Sequence, residues 1–377
     1  MTGSGPERSA EARKNYYGVQ ALRALAAALV VVHHSISMSL MWVVRRPGAP
    51  YWTNGAAGVD IFFVISGFVM AISVPGLAGK RNKAGVFLWR RFTRIVPLYW
   101  AALTVRLAQL LLAPAQDPTL TPWRVVASYL FIPAKNGKGE VFPIVVAGWT
   151  LNYEVFFYLL FAAALAFDIS PLAFLAPCLT ALALAGMART PAWPDFTALA
   201  STLVLEFLFG VVLAHFATRR KLPGAAMGWL LLAGGLVALL LVPEAHAPLG
   251  FLAWGAPAAA IVTGAVALED QLGSRVPRWL LAAGEASYAL YLSHTFILPY
   301  VINGIRGVHM TGAPALATAI VLGLAVTFPA ALLIHRHIEL PLMHFFKKRR
   351  TRPADPAAPS LLASAISPLA AVVDSPE

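Results

Sequence analysis

The chain has 377 residues, of which 59% are hydrophobic and only 12% are charged. A soluble domain carries about twice that charged fraction, and a soluble core of this size could not bury so much apolar surface. The apolar residues fall in blocks of about 20, separated by short polar or basic breaks, which is typical of membrane-spanning helices. The sequence therefore predicts an all-α fold, that of a polytopic membrane protein.

Ten apolar segments follow one another along the chain, most of them long enough to cross a bilayer as a helix. The predicted spans are residues 19–43, 55–78, 95–113, 143–167, 171–188, 197–217, 225–243, 250–269, 280–302 and 313–338. The fifth is the weakest, because it contains Pro171 and Pro177. The connection 114–142 is expected to be a loop or a re-entrant piece over the site.

The net charge of +12 lies mainly in the breaks between apolar blocks. This placement favours a topology signal and attraction to anionic membrane lipids over binding of nucleic acid. With the N-terminus inside, the predicted inner segments hold 19 Lys and Arg residues and the outer segments hold 7. Both termini are therefore expected in the cytoplasm, and the protein in the cytoplasmic (inner) membrane of a bacterium.

Three regions follow from this pattern. Residues 1–15 form a cytoplasmic N-terminal segment, residues 16–346 the membrane domain, and residues 347–377 a basic and then disordered cytoplasmic tail. The N-terminus shows no cleavage site after a short apolar core, so it is not expected to be a removed signal peptide. The single cysteine, Cys178, excludes a disulfide framework and a cysteine metal site, and no metal is expected.

The first span contains LRALAAALVVVHHS, with an arginine near one end and two histidines near the other. Arg23 and His34 are eleven residues apart, so on a helix they share a face about 16 Å apart along the axis. His33 points about 80° away from His34. Snorkelling of Arg23 to lipid headgroups and a purely structural hydrogen bond for His34 remain alternatives.

Three further titratable residues are predicted at a depth similar to that of His34. They are Asp60 near the outer end of the second span, Glu154 in the fourth and His294 in the ninth. Each has a structural alternative, such as an interfacial position for Asp60 or pairing of Glu154 with Arg106. Ionisable residues inside a membrane usually mark function. A polar site in the outer half of the bundle, formed by these four residues, is the favoured interpretation.

A second cluster lies at the predicted inner end of the third span. Arg90, Arg91 and Arg94 precede Pro97, which we expect to open a helix. The topology signal accounts for part of this cluster. Arginines beside a helix start also bind phosphate groups well. An acyl-coenzyme A would fit both sites, since its phosphates lie at one end and its reactive thioester at the end of a long arm.

Five motifs, in the same order along residues 16–346, resemble those of the membrane-bound acyltransferase family 3, whose members O-acylate bacterial surface sugars. The Arg/Lys-x10-His motif matches Arg23 to His34, and GVDxFFVxSGF matches GVDIFFVISGF with Asp60. Arg-x-x-Arg matches Arg91 to Arg94. The remaining two motifs are matched by WTLNYE, ending at Glu154, and by SYALYLSH, ending at His294. GVQALRALAA and GWTLNYEVFFYLLFA resemble the exopolysaccharide-production branch.

The resemblance implies transfer of an acyl group, usually acetyl, from cytoplasmic acyl-coenzyme A to a hydroxyl of a surface or exported polysaccharide. It implies a donor site formed by Arg91 and Arg94 with help from Arg90, and contact of Arg23 with the arm or the phosphates. His34 is the expected general base and Asp60 its orienting partner. Glu154 and His294 hold the acceptor or polarise the carbonyl, and the two roles are not separable from sequence.

Three alternatives stay open at this point. The chain could be a transporter or flippase of a lipid-linked sugar, with intramembrane His and Glu residues as proton relays. It could be a scaffold in a polysaccharide assembly complex. Within the acyltransferase interpretation, an acyl-His34 intermediate is an alternative to direct transfer. Expected partners are acyl-coenzyme A, a polysaccharide or lipid-linked sugar, membrane lipids, and either a second copy of the chain or polysaccharide assembly proteins.

Overall fold

The computed structural model describes residues 16–44, 51–112, 120–243 and 250–351. Over these ranges the chain is helical, with a single isolated β-bridge between Lys135 and Val141. The helices are α1 (Tyr17–Trp42), α2 (Gly58–Ile72), α3 (Lys83–Leu112), α4 (Pro122–Tyr129), α5 (Gly148–Ala166), α6 (Pro171–Met187), α7 (Val204–Thr218), α8 (Ala225–Leu241), α9 (Ala256–Ala267), α10 (Glu269–Leu272), α11 (Arg278–Glu285), α12 (Ser287–Gly307), α13 (Gly312–Ile334) and α14 (Leu340–Thr351). The predicted all-α fold is confirmed.

Contacts between helix ends define two sides of the bundle. At one side, Lys83 at the start of α3 forms an ion pair with Asp168 just after α5, with N and O atoms 2.5 Å apart. At the other side, the amide of Asn54, in the 3-10 turn that precedes α2, donates to the carbonyl of Leu239 in α8 at 2.8 Å. The side of Lys83 is called the basic side below, and the opposite one the far side.

Five helical segments of the described part are long and apolar enough to cross a membrane, and six are if one bent pair is counted. They are Tyr17–Trp42, Asn54–Ile72, Lys83–Leu112, Gly148–Ala166 and Gly312–Lys347, with Phe251–Ala267 and Glu269–Arg275 as the bent pair. Three shorter apolar helices, α6, α7 and α8, lie among them. The chain is thus a multi-pass membrane protein, while the count of ten spans and the side of the termini stay predictions.

Helix boundaries depart from the sequence prediction in two places that bear on the site. Helix α3 begins at Lys83 rather than near residue 95, so Pro97 lies inside a helix and does not open one. The predicted last span continues through a π-helical turn, His335–Glu339, into α14. Predicted tail residues up to Thr351 are therefore helical, and the remainder of the tail lies outside the described residues.

The connection predicted as a loop or a re-entrant piece contains one short helix, α4, and the extended segment that precedes α5. Residues 113–119 of that connection lie outside the described residues. On the other flank of α6, the predicted span 197–217 begins as a helix only at Val204, because Asp195–Leu199 forms a 3-10 turn. Both irregular segments lie on the far side.

Helices α2 and α7 cross so closely that only glycine fits at the contact. A Cβ atom on Gly67 would lie 2.0 Å from the carbonyl oxygen of Phe207, and one on Gly210 would lie 2.0 Å from that of Val64. Small residues at such crossings allow membrane helices to pack backbone against backbone. This crossing positions Asp60 and Ser66 on α2 relative to the rest of the bundle.

The α2–α7 crossing gives a direct stability test. We expect Gly210→Ala to lower the stability of the protein by roughly 2 kcal/mol or more, because the added methyl group meets rigid backbone. The apparent thermal unfolding midpoint in detergent measures this. Gly234→Ala in α8 is the matched control, since a Cβ there meets nothing within 4 Å. Equal midpoints for the two variants would contradict the described crossing.

Candidate active site

Two histidines from different helices face each other inside the bundle. His34 of α1 and His294 of α12 have ring centroids 4.9 Å apart, with the ring planes inclined by 56°. His294 is fully buried, and His34 is partly buried. The sequence placed both at a similar depth, and the structure confirms that they come together.

The hydrogen bonds of the two rings fix which nitrogen can act as a base. Nδ1 of His34 lies 2.9 Å from the carbonyl oxygen of Val30, and Nδ1 of His294 lies 3.3 Å from that of Leu290. A carbonyl only accepts, so each Nδ1 carries the proton and each Nε2 presents a lone pair. Within the described part of the chain, Nε2 of His294 is buried and has no hydrogen-bond partner. The pair therefore offers two proton-accepting nitrogens at one place.

The neighbouring His33 belongs to a different environment. Its ring lies 5.9 Å from the ring of Tyr51, and its Cβ packs against Gly55 in the turn before α2. It thus faces the connection between α1 and α2, whereas His34 faces α12. This agrees with the difference in helix angle expected from sequence and makes His33 an internal control for His34.

A cavity lies between the helices of the bundle, and charged residues from three of them line it. Arg23 of α1, Arg91 and Arg94 of α3, and Glu154 of α5 all contribute side chains to its wall. Because Arg23 faces this cavity, the alternative in which it snorkels to the lipid surface is wrong. We refer to it as the arginine cavity. Its volume is about 120 Å³, which suits a slender chain better than a bulky ring system.

Arg91 and Arg94 line the cavity, but Arg90 does not. Arg90 is exposed on the outer face of α3, one residue away from Arg91. Nε of Arg91 is buried without an acceptor among the described residues, so this guanidinium can still accept a ligand. Of the four arginines predicted for the donor site, Arg23, Arg91 and Arg94 therefore share this cavity, while their binding of phosphate stays a prediction. Since α3 begins well before these residues, the site does not use a helix start.

Glu154 lies in the arginine cavity and not beside His34. Its carboxylate accepts hydrogen bonds from the hydroxyl of Tyr158 and from Ser66 Oγ, the latter at 3.3 Å. Arg23 and Arg91 are the cations whose charges act on it. The predicted alternative partner, Arg106, is exposed and instead donates to Gln109. Glu154 therefore compensates the buried arginines.

Asp60 is likewise separated from the histidine pair. Its carboxyl group meets that of Glu206 on α7, and Glu206 is fully buried with no donor from another group within the described residues. Two adjacent buried carboxyl groups repel each other when both are ionised, and their proximity places Asp60 in the α2–α7 contact. The predicted role of Asp60 as the orienting partner of His34 is not supported, because the carbonyl of Val30 takes that place.

Tyr291 connects the arginine cavity with the histidine pair. It lines the cavity, and its ring lies 5.8 Å from that of His294. Its hydroxyl donates to the carbonyl of Ala147 at 3.2 Å and lies 2.9 Å from Oγ1 of Thr150. Tyr291 therefore links the wall of the arginine cavity to the ring of His294.

Glu339 pairs with Arg94 and is itself bonded to His335, and the sequence analysis singled out neither of these two partners. Glu339 is 1% exposed, and its Oε1 lies 3.6 Å from Nη1 of Arg94. Its other oxygen accepts a hydrogen bond from Nδ1 of His335 at 2.8 Å. Both come from the π-helical turn after α13. The available signal was a His and a Glu four residues apart at the end of an apolar span, where charged residues are costly.

Taken together, the fold and the site define a multi-pass helical membrane protein with an intramembrane histidine pair above an arginine-lined cavity. The profile of the acyltransferase-domain family matches residues 16–336. The chain belongs to this family, the membrane-bound acyltransferase family 3. The predicted resemblance is thereby confirmed, and the protein is an acyltransferase.

Two relatives are similar over most of their length. Exopolysaccharide production protein ExoZ of Rhizobium meliloti (strain 1021) is 35% identical over 305 residues, which is 80% of this chain and 93% of ExoZ. Acyltransferase MdmB of Streptomyces mycarofaciens is 29% identical over 354 residues, covering 82% and 87% of the two chains. No solved structure matches the chain. The similarity to ExoZ agrees with the exopolysaccharide-production branch indicated by the motifs.

The Glu339 contacts lead to a second stability test. Glu339→Ala leaves Arg94 and His335 without their carboxylate, so we expect a loss of roughly 3 kcal/mol. The apparent thermal unfolding midpoint in detergent should fall by several degrees. Glu285→Ala serves as the control because Glu285 is exposed, and a change there costs about 0.5 kcal/mol or less. A midpoint for Glu339→Ala equal to that of the control would show that these contacts do not stabilise the fold.

Proposed function

We propose that this protein transfers an acyl group, most simply acetyl, from acyl-coenzyme A to a hydroxyl group of an exported polysaccharide in the bacterial inner membrane. The observation that carries the proposal is the arginine cavity, whose wall residue Tyr291 contacts His294, the ring that faces His34. The family supplies acyl transfer, and the names of its relatives point to polysaccharide production and to an acyltransferase.

The arginine cavity supports a donor with phosphate groups at the basic side. Arg23, Arg91 and Arg94 face the carboxylates of Glu154 and Glu339, so among the described residues the basic groups at this place outnumber the acidic ones. Arginine forks bind phosphate oxygens in pairs. The small cross-section suits a pantetheine arm that runs from these arginines past Tyr291 toward the histidines.

The tautomers of the histidine pair support a general-base step. Nε2 of His34 takes the proton from the acceptor hydroxyl, and the hydroxyl oxygen attacks the thioester carbonyl carbon. The carbon–sulfur bond then breaks, and the coenzyme A thiolate leaves and takes the proton back from His34. His294 presents a second lone pair beside this nitrogen, where it can accept a hydrogen bond from the sugar.

The roles of the two adjacent histidines give the sharpest test of this mechanism. His34→Ala should lower acyl transfer about 10² to 10⁴-fold, because a general base contributes about that much. His33→Ala should keep transfer within a few-fold of the unchanged protein, since His33 packs against the α1–α2 connection. Transfer of a radiolabelled acetyl group in membranes at matched expression measures both.

Full activity of His34→Ala would refute the proposed base. A labelled acyl group that stays on the protein in the absence of acceptor would favour an acyl-His34 intermediate over direct transfer.

The donor site is tested by neighbouring arginines of α3. Arg91→Gln should raise the dissociation constant for acetyl-coenzyme A by about tenfold or more, the expected effect of losing one charge-assisted contact. Arg90→Gln makes the same change in charge one residue away, but Arg90 is exposed and faces away from the cavity. The dissociation constant of Arg90→Gln for acetyl-coenzyme A should stay within twofold of that of the unchanged protein. Calorimetry in detergent measures both variants.

The same measurement separates the enzyme from a transporter of lipid-linked sugars. A transporter of that kind needs no acyl donor, so complete absence of acetyl-coenzyme A binding by the unchanged protein would overturn the proposal. Equal effects of the two arginine changes would show that the cavity is not the donor site.

A further inference from the structure

A second cavity lies on the far side, on the other face of α5. Its volume is about 710 Å³, within the range of ligand-binding pockets. Trp149, Asn152 and Tyr153 from the first turns of α5 contribute to its wall, together with Arg189 from the segment after α6. Because residues on a helix advance by about 100° each, these α5 side chains point away from Thr150 and Glu154. We refer to this cavity as the loop pocket.

A buried polar group without a partner lies in the wall of the loop pocket. Asn152 is 4% exposed, and within the described residues its Oδ1 accepts no hydrogen bond. A buried amide oxygen without a donor lowers stability, and a ligand hydroxyl that donates to it would remove that cost. This unsatisfied acceptor is evidence for a ligand that is independent of the shape of the pocket.

The aromatic side chains of the pocket are held firmly in place. The hydroxyl of Tyr153 donates to the carbonyl of Ala198 at 2.6 Å, which fixes its ring in the wall. The ring of Trp149 meets that of Tyr153 edge to face, with centroids 6.0 Å apart. A partly exposed indole beside polar groups offers an apolar face together with an N–H donor, a combination that suits a sugar ring.

Charge distinguishes Arg189 from the other cation of the pocket. Lys135 is compensated, because its Nζ lies 3.2 Å from a carboxylate oxygen of Asp195. Arg189 donates only from Nε, to Oγ1 of Thr197 at 3.1 Å, and within the described residues its terminal amino groups have no acceptor. The two terminal amino groups of Arg189 therefore remain to bind a carboxylate, whose two oxygens match the planar geometry of the guanidinium group.

We propose that the loop pocket binds an acidic segment of the acceptor glycan, with a sugar ring on Trp149, a hydroxyl donating to Asn152 and a sugar carboxylate on Arg189. This inference rests on the proposed function, since it takes the acceptor to be a sugar chain. It adds a site, separate from the reacting groups, that selects chains carrying carboxylates.

The place of the pocket agrees with a role in holding the chain. Only the first turns of α5 separate it from Tyr291, whose hydroxyl bonds to the carbonyl of Ala147 beside the histidine pair. The pocket and the contact of Tyr291 with His294 therefore lie on opposite faces of the first turns of α5.

The test measures glycan binding directly, without an acyl donor. The probes are a tetrasaccharide of alternating glucose and glucuronic acid and its carboxyl-reduced form, each titrated by calorimetry into the full-length protein. The detergent is an amine oxide, since a detergent with a sugar headgroup would compete for the pocket. The unchanged protein should bind the acidic probe about tenfold more tightly than the reduced one, the expected effect of a bidentate arginine–carboxylate contact.

Two variants assign the effect to the pocket. Arg189→Gln should abolish the preference for the acidic probe, while Arg306→Gln, the same change at an exposed far-side arginine, should leave it intact. Trp149→Ala should weaken binding of both probes. Thermal unfolding midpoints test whether each variant is folded. If Arg189→Gln does not fold, the inference is judged on the preference of the unchanged protein for the acidic probe and on the weaker binding expected for Trp149→Ala.

Equal binding of the two probes by the unchanged protein, or binding of neither, would overturn the inference. The same holds if Arg189→Gln and Arg306→Gln behave alike. Failure of the proposed function has a different signature, because it appears as absent acetyl-coenzyme A binding in the same samples, whatever the glycan result.

Discussion

Burying Arg23, Arg91 and Arg94 inside a membrane bundle costs free energy that only facing carboxylates and hydroxyls offset. Glu154 and Glu339 supply the carboxylates, from α5 and from the turn after α13. The arginine cavity is therefore built by helices that are far apart in sequence and are drawn together by charge. Under the proposed function, the phosphates of the donor would add to this compensation.

The histidine pair depends on that arrangement in a simple way. Arg23 and His34 share one face of α1, so a helix that turns Arg23 into the cavity also turns His34 toward α12. His294 then meets it at a ring distance of 4.9 Å. The two carbonyls that accept from the Nδ1 atoms leave both Nε2 atoms available, which prepares the pair for proton transfer without a carboxylate partner.

The two faces of helix α5 line different cavities. Its one face carries Thr150, Glu154 and Tyr158 into the arginine cavity, and its other face carries Trp149 and Asn152 into the loop pocket. The two cavities thus lie on opposite faces of one helix, which under the proposed function would keep the donor apart from the sugar chain.

The class of fold, most helix positions, the family and the shared face of Arg23 and His34 could be predicted from the order of the amino acids, because hydropathy and helical periodicity are local properties. The same order predicts a similar depth for Asp60, Glu154 and His294, but depth along a helix does not say which neighbour a side chain faces. Only the tertiary structure separated Asp60, beside Glu206, and Glu154, among the arginines, from the histidine pair. The outward position of Arg90, away from the arginine cavity, and the pairing of Glu339 with Arg94 were likewise visible only in the folded protein. Both depend on helix rotation and packing partners, which are set by contacts between distant segments.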